Sequence, residues 1–142
     1  MTTPSFDVHD VVEMQLVLSD ATVLPVRAEI GFRASDPYTV HATFVGPHSA
    51  STWLIGRELL VEGLDATVDA PAGTGDVRVW RDEDPMFVLI ALSGVEGSAL
   101  LASPAGPLEF FAKATNAVVP VGAEGESMES EISTLIAQLL TT

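Results

Sequence analysis

The sequence predicts an α+β fold: antiparallel β-sheet structure of about seven strands, one short internal helix and two helices at the C-terminal end. Three observations carry this expectation. Apolar and polar residues alternate with period two through most of the first third of the chain. Clusters of Gly, Pro, Asp and Ser cut much of the remainder into strand-length pieces with short connections. Sustained helical spacing appears only beyond Ser103.

In chain order, Met14, Leu16 and Leu18 fall on one strand face, with Glu13, Gln15 and Val17 on the other. Ser19-Asp20 supplies a turn, and a second strand puts Leu24, Val26, Ala28, Ile30 and Phe32 on one side. Its other side carries Arg27, Glu29, Gly31 and Arg33, a composition suited to solvent or to a partner, and Pro25 marks an edge or a strand start. Ala34-Ser35-Asp36-Pro37 turns into a third strand with Tyr38, Val40, Ala42 and Phe44 on the apolar face. Together these three form a meander with one wet face. Ser51 to Ile55 is a short strand carrying Trp53, and Gly56 to Glu62 a short helix closed by Gly63 in the left-handed conformation. Asp76 to Arg81 alternates again, Met86 to Leu92 is a continuous apolar strand, and Gly94-Val95-Glu96-Gly97 is a hairpin turn into a strand over Ser98 to Ala102. Ser103-Pro104 opens a helix to about Asn116, with Pro in the first turn and Glu109–Lys113 as an i, i+4 pair. After a linker over 118–127, Met128, Ile132, Leu135, Ile136 and Leu139 give a last helix one apolar stripe, with Glu129 and Glu131 in its first turn. The whole reads as one domain over 1–142, with 1–7 flexible.

Twenty acidic residues against six basic ones leave a net charge of −14, while 47% apolar content suffices for a core at 142 residues. There is no Cys, so disulfides, thiolate metal sites and a Cys nucleophile are excluded. No apolar run approaches the ~18–20 residues of a membrane span, and no basic-then-apolar leader opens the chain. A soluble, cytoplasmic protein that takes neither nucleic acid nor membrane insertion is the expectation, since its charge repels phosphate backbones and anionic lipid.

Candidate chemistry is sparse. Ala72-Gly73-Thr74-Gly75-Asp76 lacks the Lys and the strand-to-helix setting of a phosphate loop and reads as a turn. His9, His41 and His48 lack metal-ligand spacing, and Asp82-Glu83-Asp84 lacks the Gly and bidentate Glu of a calcium loop. No catalytic, metal or cofactor-binding residue is assigned. Three residues are candidates for partner binding. Arg27 and Arg33 share the outward face of the second strand, where they either form a docking island or neutralise Glu29 and Glu13. Trp80, out of phase with Val77 and Val79, either lies under another layer or meets a partner. The stripe of the last helix covers the chain's own sheet or meets another subunit.

Several blocks occur in a fixed order: Asp36-Pro37-Tyr38-x-Val40-His41-Ala42-Thr43-Phe44, then Trp53 with Arg57-Glu58-Leu59-Leu60-x-Glu62-Gly63, then Gly73-Thr74-Gly75-Asp76-Val77-Arg78-Val79-Trp80. Ile90-Ala91-Leu92-Ser93-x-x-Glu96-Gly97-x-Ala99-Leu100-Leu101 and Val119-Pro120-x-Gly122-x-Glu124 follow. The chain thereby resembles the SsgA-like family of actinomycete sporulation and cell-division proteins over roughly residues 8–140, its SsgB-type branch ahead of the SsgA-type. The resemblance implies a whirly-like β scaffold assembled as a homotrimer. It also implies a non-enzymatic role at the division septum, recruiting or positioning the tubulin-like GTPase FtsZ alongside other septal or SsgA-like proteins. A nucleic-acid-binding regulator on the same scaffold is the alternative, and it would need basic residues interleaved with aromatics, which the chain lacks.

Overall fold

The computed structural model describes residues 5–18 and 22–140, with backbone alone for 126–131. Its elements run β1 (Val8–Val17), β2 (Val23–Arg33), β3 (Asp36–Val45), β4 (Ala50–Gly56), α1 (Arg57–Gly63), β5 (Val77–Arg81), β6 (Phe87–Gly94), β7 (Gly97–Pro104), α2 (Ala105–Val118) and α3 (Glu124–Leu140). All seven strands join one sheet in the order β4-β3-β2-β1-β7-β6-β5, every neighbouring pair antiparallel. The expected meander is β1–β2–β3. The Ser19-Asp20 turn lies outside the described residues, as do residues 1–4 and the side chains of Met128, Glu129 and Glu131.

Alternation decides which face is buried. Val12 and Met14 of β1, Ala28, Ile30 and Phe32 of β2, and Val40, Ala42 and Phe44 of β3 point into one apolar cluster. Val79, Val88, Ile90, Leu92 and Leu101 reach it from the other half of the sheet, and Leu60, Leu108 and Phe111 from the helices. The sheet curls, so that α1 packs on β3 and β4 at one end and on β5 at the other, while α2 lies across β1 and β7. A register irregularity at Phe32/Arg33 accompanies the two-residue Ala34-Ser35 turn, and the carboxylate of Asp7 accepts the Ala34 N–H at 2.7 Å. Asp7 N–H in turn donates to the Phe32 carbonyl at 2.8 Å, so the segment just before β1 is tied to the sheet.

The two ends of the sheet are finished differently. Beyond β5, the connecting segment runs alongside: Ala72 and Val79 exchange two backbone hydrogen bonds, and Arg81 N–H donates to the Ala66 carbonyl. Gly73 makes that approach possible, with φ +93° and the position of a Cβ lying 2.4 Å from the Val77 carbonyl oxygen. β4 has β3 on one side and, among the described residues, no strand on the other.

Several local expectations are corrected. Gly63 is helical, not left-handed, and Leu64 after it is also in the right-handed helical region. Glycine is required there by contact, since a Cβ would sit 2.3 Å from a methyl of buried Val79. The strand before α2 runs on to Pro104, because Ser103 is fully buried and pairs with Val88, and Pro107 takes the first helical turn instead. Glu109 does not pair with Lys113; its carboxylate accepts from Arg81 Nη2 at 2.6 Å and ties α2 to β5. Leu24 and Tyr38, at strand ends beyond the helical cover, are 45% and 50% exposed.

A second cation is wholly internal. Arg57 opens α1 at 1% exposure, with its guanidinium 5.0 Å from the Phe32 ring centre. Nη1 donates to the carbonyls of Thr115 and Val119 at the end of α2, and Nη2 to Glu124 at the start of α3. The Thr115 carbonyl also accepts the Val119 N–H at 2.9 Å, so the carbonyl that depends on Arg57 is that of Val119, the residue capping α2. Glu124 is held below the ordinary carboxylate range, first by its own backbone N–H and then by the Arg57 hydrogen bond.

Candidate functional site

The outward face of β2 is where the candidate cations lie. Strand alternation sets Arg27, Glu29, Gly31 and Arg33 opposite the core residues Ala28, Ile30 and Phe32. Arg27 is exposed and stands directly across from Glu13 on β1 and Val45 on β3, yet forms no ion pair among the described residues. Glu13 is thus the carboxylate that faces Arg27 across the two strands, without a direct ion pair among the described residues. Only Arg27, Arg78 and Lys113 among the chain's six cations are exposed; Arg57 and Arg81 are spent on internal carboxylates.

Arg33 behaves differently from Arg27. It is half-buried, with its guanidinium 4.7 Å from the centre of the Phe6 ring. Phe6 reaches this place because Gly31 has no side chain, a Cβ there being 2.6 Å from the ring. His9 stacks on the same ring at 5.9 Å and His41 meets it at 5.5 Å with the planes tilted 54°. Phe6 is not singled out by the sequence, and His9 is weighed there only as a metal ligand, not as a partner-binding residue. The signal that could have found them is Gly31 itself, an isolated glycine inside a strand pattern, which marks close approach of another group.

Trp80 lies on the outward face of β5, paired with Leu89 of β6 and half-buried, its indole N–H covered and without an acceptor among the described residues. β1, β7 and β6 stand between β2 and β5, so the structure does not bring Trp80 together with the arginines. Trp53 is on the inward face, where its indole N–H donates to Ser51 Oγ at 3.1 Å. It borders an apolar cleft of about 640 Å³ at the end of the sheet that the helices leave uncovered, between β4 and the β6–β7 hairpin.

Other sequence features resolve into turns. Asp84 Oδ1 accepts the Met86 N–H at 3.1 Å within the turn that precedes β6. Among the described residues, no group of three or more His, Asp or Glu is arranged to hold a metal ion. No described helix is long and apolar enough to cross a membrane.

Comparison with known proteins supplies a context for this geometry. The family model described as Streptomyces sporulation and cell division protein, SsgA, matches residues 26–124. The sporulation-specific cell division protein SsgB of Streptomyces coelicolor is 44% identical over 142 residues, covering 96% of this chain and 98% of that one. Its counterpart in Salinispora tropica is 42% identical over 132 residues, covering 89% and 88%. Among solved structures, one from a study linking mutations in SsgB to longitudinal cell division during sporulation of Streptomyces coelicolor superposes with a TM-score of 0.76. It is 45% identical and covers 84% of this chain and 93% of that chain. An SsgA-like sporulation-specific cell division protein from Thermobifida fusca gives 0.77 at 32% identity, covering 94% and 98%.

Proposed function

The chain belongs to the SsgA-like family of sporulation and cell-division proteins, its similarity running to the SsgB-type members, and on that basis we propose that it is a non-enzymatic division scaffold that recruits or positions FtsZ at septum sites. The observation that carries this reading is the end-to-end similarity to SsgB, 96% of this chain against 98% of the relative. In this reading the protein works in the cytoplasm at the division septum, as a homotrimer, together with other septal or SsgA-like proteins. It takes no nucleic acid, because a net charge of −14 with three exposed cations repels phosphate backbones.

An adaptor without catalytic groups acts through a surface, and assembly multiplies weak contacts by effective concentration. The outward face of β2 is the proposed docking face for an acidic partner segment, with Arg27 steering the encounter and Trp80 as a separate contact on β5. Arg27 is suited to this role because it is exposed and committed to no internal carboxylate. The test is co-sedimentation with FtsZ polymers. Arg27→Glu is expected to weaken binding about five- to tenfold, the scale of reversing one exposed charge contact, with circular dichroism unchanged. Wild-type recovery of the variant in the pellet would remove this face from the reading.

A further inference from the structure

We propose that the recess on the outward face of β2, β3 and β4 is a carboxylate-binding site whose occupant is an acidic side chain of the docking partner. The inference deepens the docking reading and takes the acidic partner from it. The recess holds about 500 Å³ and is built around Phe6, with Arg33 and His41 on one side and the hydroxyls of Thr43 and Thr52 on another. Phe6 rests on Gly31, and Arg33, His9 and His41 are all held against its ring; the Arg33 and His41 side chains turn from the ring to present their covered nitrogens to a ligand.

Two side-chain nitrogens at this recess, Arg33 Nε and His41 Nε2, are shielded from water and have no hydrogen-bond partner among the described residues; one of them, Arg33 Nε, is always a donor. A buried donor left unpaired keeps its full desolvation cost, so this recess favours an acceptor brought from outside. The nearby carboxylates do not serve. Asp36 Oδ2 stands 3.9 Å from His41 Nε2, beyond hydrogen-bond reach, and Asp7 accepts from the Ala34 N–H. A further donor is at hand, because Thr43 and Thr52 share one hydrogen bond at 2.9 Å, which leaves the proton of the second hydroxyl free for a ligand.

The charge pattern selects the anion. Arg33 offers the planar fork that suits two carboxylate oxygens, and His41 Nε2 donates both in its Nε2–H tautomer and as the cation. Glu29 also lines the recess and opposes any second negative charge, which favours a monoanionic carboxylate over a phosphate dianion. His9 and the Phe6 ring supply an apolar wall for the stem that carries the carboxylate.

The test is an NMR titration of the full chain, following the Arg33 Nε–H and the His41 ring signals. Three probes separate the sources: free glutarate, the blocked peptide acetyl-Gly-Gly-Glu-Gly-Gly-amide, and the same peptide with Gln for Glu. Saturable shifts with the Glu peptide, with a dissociation constant of order 1 mM, and none with the Gln peptide are expected. Arg33→Gln should weaken binding about tenfold or more, the scale of a lost charge-assisted hydrogen bond, whereas Glu29→Gln should tighten it. His41→Gln and Thr43→Val carry the same comparison if Arg33→Gln fails to fold. Silence with both carboxylates, equal binding of the Gln peptide, or binding of glutarate alone would overturn the assignment. An unresponsive recess in a chain whose FtsZ binding still depends on Arg27 sinks the recess and spares the docking face; a responsive recess in a chain that ignores FtsZ does the reverse.

Discussion

Arg57 is the residue on which most of the C-terminal half hangs. One guanidinium, buried against Phe32, joins the start of α1 to the last turn of α2 and the first residue of α3. Replacing it with Ala leaves the Val119 carbonyl without its donor and Glu124 without its cation, while Thr115 keeps the Val119 N–H, and urea unfolding is expected to show a loss of about 1–3 kcal/mol. The same contact predicts a pH dependence. Because folding lowers the pKa of Glu124 below its ordinary 4.5, the folded state binds fewer protons there than the unfolded one. Its stabilising contribution is therefore complete above about that value and is lost as the pH falls through the folded pKa. The stability difference between wild type and Glu124→Gln, measured by urea unfolding at pH 7 and at pH 3.5, is expected to shrink at the lower pH. None of this was legible in the sequence. Arg57 sits in a helix-like run beside Glu58 and Glu62, and nothing local announces a partner 67 residues away.

At the level of elements, the strands were the readable part. Alternation through Met14, Ala28, Ile30, Val40 and Ala42 identified the buried face correctly, because period two leaves a sheet with only two choices. The helix boundaries were less readable. A Pro after Ser103 is as acceptable at the end of a strand as in the first turn of a helix, and the burial of Ser103 decided between them. Gly63 has the composition of a cap but serves as a contact, a distinction that only Val79 of β5, 16 residues away, can make. Gly63→Ala is accordingly expected to cost about 1–3 kcal/mol by overpacking, seen as a lower denaturation midpoint with an unchanged m-value; a neutral substitution would contradict the α1–β5 contact. The docking face was half legible in the same way. Arg27 and Arg33 could be placed on one face by counting, but the ring of Phe6 that separates their roles arrives from outside the strand pattern.

For the whole molecule, the unanswered requirement is α3. Ile132, Leu135 and Ile136 stay 50–54% exposed along its apolar stripe, so the stripe does not cover the chain's own sheet. In the proposed trimer this stripe meets another subunit, and Leu135→Glu with Ile136→Glu is expected to reduce the mass measured by light scattering while leaving the sheet's circular dichroism intact. Unchanged mass would place the subunit contact elsewhere. The unequal ends of the sheet bear on assembly too. Backbone pairing between copies needs a free edge on each, and here the segment around Ala72 already occupies the edge at β5. Among the described residues the outer edge of β4 is the end of the sheet with no strand or pairing segment beside it, so two copies can join edge to edge there. Strand addition at the ends of the sheet is thereby confined to the β4 side, which narrows the routes by which copies could stack into a cross-β aggregate.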